Sequence, residues 1–107
     1  MRRGEIWTVS HASYAGKPRP AVVIQSDAFD ATRSVTICPF TTDETEAPLL
    51  RLLVQPSEIN GLRSASRLMV DKVVTIPRER VGSHVGRLDE DDQRRLDRAI
   101  MVFLGLV

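Results

Sequence analysis

Along the first three quarters of the chain, apolar and polar positions fall into short runs separated by turn-forming residues, a length and period that suit strands. The first run is Glu5 to Ser10, where Ile6 and Thr8 alternate with Trp7 and Val9. His11 to Pro18 has the Ser, Gly, Lys and Pro content of a loop. Ala21 to Gln25 follows as a second strand, its apolar run implying burial on both faces, and Ser34 to Phe40 as a third. Ser26 to Arg33 reads as the turn between them. Thr41 to Pro48, with Asp43, Glu44 and Glu46, has the composition of a mobile loop, and Leu49 to Val54 forms a fourth strand. Pro56-Ser57-Glu58-Ile59 before Asn60-Gly61 fits a short helical turn and bend. Ser66 to Asp71 and Lys72 to Ile76 read as the last strands, with another short turn at Pro77-Arg78-Glu79-Arg80.

The period changes near the C-terminus. Leu88-Asp89-Glu90-Asp91-Asp92 sets a capping side chain and three more acids at the positive end of a helix dipole, which predicts a helix from Asp89 to about Leu104. Leu96, Ala99, Ile100, Phe103, Leu104 and Val107 fall at helical spacing and mark its expected buried face, with Arg94, Arg95 and Arg98 towards water. Short strands with one C-terminal helix predict a mostly β fold with α: a small barrel with that helix laid against it.

Composition narrows this further. A chain of 107 residues with 42% hydrophobic content supports one core and not two, so residues 1–107 are expected to form a single domain. There is no internal repeat or low-complexity tract. The longest apolar run, near the C-terminus, is too short to span a bilayer, and Met1-Arg2-Arg3 leads into a strand and not a secretory segment, so a cytoplasmic location is expected. Cys38 has no second cysteine to pair with, and its apolar strand favours a buried, inert thiol over a nucleophile. With two scattered histidines no metal cluster is visible, and no cofactor is expected. The net charge is +1, but residues 1–88 carry 12 basic and 9 acidic side chains against 3 and 5 in residues 89–107. That falls short of the basic stripe of a protein held to nucleic acid by charge alone; any RNA would bind through a shaped local site.

One segment carries more chemistry than the rest. In Gly16-Lys17-Pro18-Arg19-Pro20-Ala21-Val22-Val23-Ile24-Gln25, Arg19 lies between two prolines that remove most of its backbone freedom, and a guanidinium presented this rigidly suits a phosphate. The alternative is a solvated rim charge where a loop enters an edge strand. Tyr14, in the loop before it, is placed either to stack on a base or to pack against the loop.

Four segments together, Arg3-Gly4-Glu5-Ile6-Trp7, the Gly-x-x-Arg-Pro-x-x-Val-Ile-Gln stretch, the strand ending in Phe40-Thr41-Thr42 and Asp71-Lys72-Val73-Val74-Thr75-Ile76, resemble the MazF/PemK family of toxin endoribonucleases from about residue 2 to the C-terminus. The resemblance implies an SH3-like barrel working as a homodimer, with Arg19 and Thr41 as the catalytic pair. It implies metal-independent cleavage of single-stranded RNA by attack of a ribose 2′-hydroxyl on its own phosphodiester, leaving a 2′,3′-cyclic phosphate and a 5′-hydroxyl. RNA contacts are expected from Lys17, Tyr14, His11, Thr42, Ser66, Arg67 and Asp71. A cognate antitoxin with a disordered acidic tail is the implied protein partner. The proton-transfer group stays open: arginine is a poor base, and His11 reads either as an acid–base group or as a solvated loop histidine. His84 reads as structural or exposed. Two departures stand out: Lys72 occupies a position where relatives often carry glutamine, and Glu5 stands for the usual Asp. Two other classes remain open, a non-catalytic nucleic-acid-binding module and a gyrase-directed toxin acting through its C-terminal residues.

Overall fold

The structure, a computed structural model, describes residues 1–11 and 16–107. Seven strands, β1 (Glu5–Val9), β2 (Arg19–Val23), β3 (Ser34–Thr41), β4 (Arg51–Val54), β5 (Ser66–Met69), β6 (Val74–Pro77) and β7 (Val81–Arg87), precede one helix, α1 (Glu90–Phe103). The described pairings are all antiparallel and run β4-β5-β3-β2-β1-β7, with β6 also on β3. β3 divides its length: Ser34 to Ile37 pairs with β6, and Phe40 and Thr41 pair with β5. A single long strand shared in this way bends the sheet into an open, barrel-like shell. Short 3-10 turns at Asp27–Phe29, Val70–Lys72 and Arg78–Arg80 join strands.

The shell has two apolar clusters and not the one core expected from composition. Ile6, Val22, Cys38, Phe40, Leu68, Leu88 and Leu96 belong to one, and Val9, Ala21, Val23, Val35, Ile37 and Ile76 to the other. The reason is alternation in β2 and β3: successive side chains point to opposite faces, and both faces are covered. The expected two-sided burial of the second strand is therefore present, and its cost is an apolar content split between two layers.

Three further expectations are corrected. β7 is a strand that the pattern missed, because Gly82 and Gly86 interrupt the alternation of Val81-Gly82-Ser83-His84-Val85-Gly86-Arg87 and its register against β1 shifts twice. The strand expected to reach Asp71 ends at Met69, and Lys72 closes a 3-10 turn where a strand start was expected. The helix is capped as predicted, the Asp89 carboxylate accepting from the Asp92 N–H at 2.8 Å, but its stripe is buried only in part. Leu96 is fully buried and Ala99 and Ile100 pack on the core, whereas Phe103, Leu104 and Val107 are 48%, 61% and 78% exposed. The helix packs against β4 and the 70–72 turn, and the apolar side chains of its last turn stay exposed. Among the described residues no helix is long and apolar enough to cross a membrane.

Beyond β4 the chain doubles back along β7. The buried Asn60 ties this segment: its Oδ1 accepts from the Ser57 and Leu62 N–H groups, both at 3.0 Å, and its Nδ2 donates to the Gln55 carbonyl at 2.8 Å. The Arg87 N–H donates to the Ile59 carbonyl at 3.0 Å, so the segment covers part of the β7 edge. This contact is close enough to need glycine on both sides. A Cβ on Gly61, at φ +68°, would lie 2.2 Å from the Val85 carbonyl oxygen, and one on Gly86 would lie 2.4 Å from that of Asn60.

On the β1–β7 surface, Glu5 accepts from the Arg2 N–H at 2.6 Å and the Trp7 indole N–H at 3.3 Å, and lies 3.6 Å from His84 Nε2. The Trp7 and His84 rings meet edge to face at 5.2 Å. Burial pushes the Glu5 carboxyl up, but the donors from Arg2 and Trp7 and the positive charge nearby outweigh it and hold the pKa below the ordinary 4.5.

Two outcomes follow. Gly61→Ala and Gly86→Ala should each destabilise the fold by about 1–3 kcal/mol in urea unfolding, as overpacking does, whereas Gly105→Ala, with no atom near its would-be Cβ, should cost less. Because the folded pKa of Glu5 is depressed, its contribution is complete above the ordinary pKa and lost as pH falls below 4.5 through the folded value. Glu5→Gln should therefore flatten the acid limb of the stability profile, and parallel limbs for the two proteins would disprove that role.

Candidate active site

The β2–β3 ladder pairs Ala21 with Pro39 and Val22 with Cys38, and the same register carried two residues further sets Arg19 level with Thr41. On the other side of Thr41 the register partner is Arg67 of β5. Both Arg19 and Thr41 thus stand at strand ends where the covered part of the sheet stops. They line one groove of about 620 Å³ with Phe40, Thr42, Asp43, Met69 and Lys72.

Their bonding differs in a way that matters for chemistry. Arg19 is exposed and, among the described residues, makes no hydrogen bond or ion pair, so its five donors face the groove unspent. Thr41 Oγ1 accepts from the Asp43 N–H at 3.1 Å, which fixes the hydroxyl while leaving its own hydrogen for another acceptor. A fixed cation and an oriented O–H donor on one wall suit a phosphate group. Asp43 is the acid of this groove, and its carboxylate is engaged by the Thr45 hydroxyl at 2.5 Å and N–H at 2.7 Å, donors that hold its pKa below the usual range.

The remaining candidates are placed as follows. Thr42 lines the same groove and a neighbouring one with Ser66, whose hydroxyl donates to the Ser64 carbonyl at 3.0 Å. Lys17 is exposed beside Pro18, and His11 is half-buried just after β1. Tyr14 lies outside the described residues. Arg67 reaches away along the acidic loop, to the Asp43 carbonyl and to Glu46 at 3.2 Å, and Asp71 is paired with Arg51. These two charges are engaged within the protein, whereas Lys72, noted in the sequence only as a departure, lines the groove without a partner among the described residues. Its place was hidden because the 70–72 turn replaces the expected strand start and turns it towards Arg19. Cys38 is buried, and burial, with Asp71 nearby, pushes its thiol up to about 12, the inert reading. Among the described residues no group of His, Cys, Asp or Glu is arranged to hold a metal ion.

Known proteins resemble this chain in sequence and in fold. A Mycolicibacterium smegmatis protein described as a probable endoribonuclease MazF is 54% identical over 107 residues, covering 99% of this chain and 98% of that protein. The solved structure of Mycobacterium tuberculosis toxin MazF-mt6 superposes with a TM-score of 0.80 at 24% identity, covering 94% of this chain and 96% of that one. A mycobacterial endoribonuclease solved in complex with its cognate antitoxin superposes at 0.82 with 18% identity, over 100% and 97% of the two chains. At these identities the structures establish the shared fold. A family model matches residues 2–104, a span that holds the Arg19–Thr41 groove and all of α1, and the chain belongs to the PemK-like, MazF-like toxins of type II toxin-antitoxin systems.

Proposed function

We propose that this protein is a toxin endoribonuclease that cuts single-stranded RNA without a metal ion, using Arg19 and Thr41. The observation that carries the reading is an unpaired guanidinium beside an oriented hydroxyl in one groove. In the reaction the 2′-hydroxyl loses its proton, the 2′-oxygen forms a bond to phosphorus, and the bond from phosphorus to the 5′-oxygen breaks as that oxygen takes up a proton. The products are a 2′,3′-cyclic phosphate and a 5′-hydroxyl, and no water is consumed. Negative charge grows on the phosphate oxygens in the transition state, so a prepositioned cation and O–H donor stabilise it more than the ground state. Arg19 supplies the cation and Thr41 the donor; Lys72 adds positive charge on the opposite rim. His11, whose imidazole can take up or give a proton, is the candidate acid–base group. Lys17, Thr42 and Ser66 flank the pair as RNA contacts, Tyr14 is a further RNA contact in this reading, and Arg67 and Asp71 join them where RNA displaces their present partners.

The single domain acts as a homodimer in this reading. Met101, Val102, Phe103, Leu104, Leu106 and Val107 are large apolar side chains left exposed on one chain, which a second copy would cover. The antitoxin is a protein whose acidic segment competes with RNA phosphate for Arg19; the complex of a structurally similar endoribonuclease with its cognate antitoxin supports such a partner. An RNA substrate places the activity in the cytoplasm.

Incubation with a long RNA in EDTA, with cut ends mapped by primer extension, should give discrete cuts ending in cyclic phosphate. Arg19→Ala and Thr41→Val, both folded by circular dichroism, should cut at least about 10²–10³-fold more slowly, the loss typical of one transition-state donor. Undiminished cutting by Arg19→Ala would overturn the assignment. Sedimentation should show a dimer that Phe103→Asp with Leu106→Asp converts to monomer; a wild type that sediments as a monomer at micromolar concentration would remove the second copy from the account.

A further inference from the structure

Thr42, which lines the Arg19 groove, also lines a second groove of about 510 Å³, whose lining includes apolar Pro18, Pro20 and Val85 and polar Arg63, Ser64 and Ser66. Among the described residues no acidic side chain lines this second groove, and the Arg63 guanidinium is exposed and makes no hydrogen bond or ion pair. The peptide N–H groups of Arg63 and Ser64 likewise have no acceptor among the described residues. Donors and positive charge therefore line one groove together with proline and valine faces on which a base can lie.

The wall is also held in place. Asn60 accepts from the Leu62 N–H at 3.0 Å and is itself 3% exposed, and Gly61 and Gly86 let this bend sit against β7 with no room for a side chain. A site whose donors are positioned before the ligand arrives loses less entropy on binding. At about 510 Å³ the space falls within the range of small-ligand sites, and it shares Thr42 with the Arg19 groove.

We propose that this second groove is a nucleotide subsite flanking the cut, in which Arg63 and the Arg63 and Ser64 N–H groups hold an RNA phosphate next along the strand and the proline face supports its base. The proposal rests on the cleavage reading above, and Arg63 acts in it as a substrate contact remote from the reacting atoms. The strand then runs from Lys72, across Arg19 and Thr41, past Thr42 to Arg63, and leaves the groove on that side.

The test uses an oligonucleotide spanning one mapped cut, with deoxyribose replacing the ribose whose 2′-hydroxyl reacts, so that binding is read without cleavage. Fluorescence anisotropy at several salt concentrations should show Arg63→Ala binding roughly five-fold more weakly, the upper size of an exposed charged contact. The slope of log affinity against log salt should fall by about 0.7, one phosphate contact on a single strand. Arg63→Lys should keep the wild-type slope. In cleavage assays, the Arg63→Ala loss should disappear with RNA shortened from one side of the cut and persist with RNA shortened from the other. An unchanged affinity and slope, or a loss that persists on both shortened substrates or vanishes on both, would overturn the subsite. Arg19→Ala in the same assays separates the two readings: if it abolishes cutting while Arg63→Ala changes nothing, only the subsite fails, and if neither substitution affects cutting, the cleavage site itself is wrong.

Discussion

The β2–β3 pair, covered on both faces, is the constraint on which the rest of the structure depends. Val22, Cys38 and Phe40 serve one apolar cluster while Ala21, Val23, Val35 and Ile37 serve the other. A slip of one residue would exchange the two sets and leave neither cluster filled, so the register is held by both layers at once. That register sets Arg19 level with Thr41. The prolines around Arg19 limit backbone freedom just where the strand leaves cover, and a charged side chain that could not be buried is left in the open.

Around this pair, the other charges divide by whether they are engaged. Arg51 is paired with Asp71, Arg67 with Glu46, Arg3 with Asp97, and Arg78 holds two carbonyls of the preceding turn. Arg19, Arg63 and Lys72 remain unpaired among the described residues and line the two grooves that share Thr42. A net charge of +1 therefore understates the local field, because much of the acidic charge is either paired to structural arginines or carried on α1.

The strands β1 to β3, the capped helix and the Arg19 segment were legible in the sequence because each depends on local signals: alternation, a carboxylate ahead of a helical run, and proline on both sides of one residue. β7 was not legible. Its two glycines carry no alternating signal, and each is there for a close contact with a segment remote in sequence, Gly86 with Ile59 and Asn60 and Gly82 with Thr8. The same applies to Arg67 and Asp71, whose polar character pointed to RNA but whose partners, Glu46 and Arg51, lie about twenty residues away in sequence and are brought near only by the β4–β5 fold.

The sequence by itself determined the mostly β architecture with a C-terminal helix, the family to which the four motifs point, and Arg19 and Thr41 as the residues of interest, since these rest on local pattern and residue identity. Tertiary structure alone decided how apolar content divides between two layers, which end of the helix stays uncovered, which charges are neutralised inside the protein, and that Thr42 lines both grooves. Those outcomes depend on distances between segments remote along the chain, and a distance of that kind is set by packing and by hydrogen-bond closure and not by the spacing of residues in sequence.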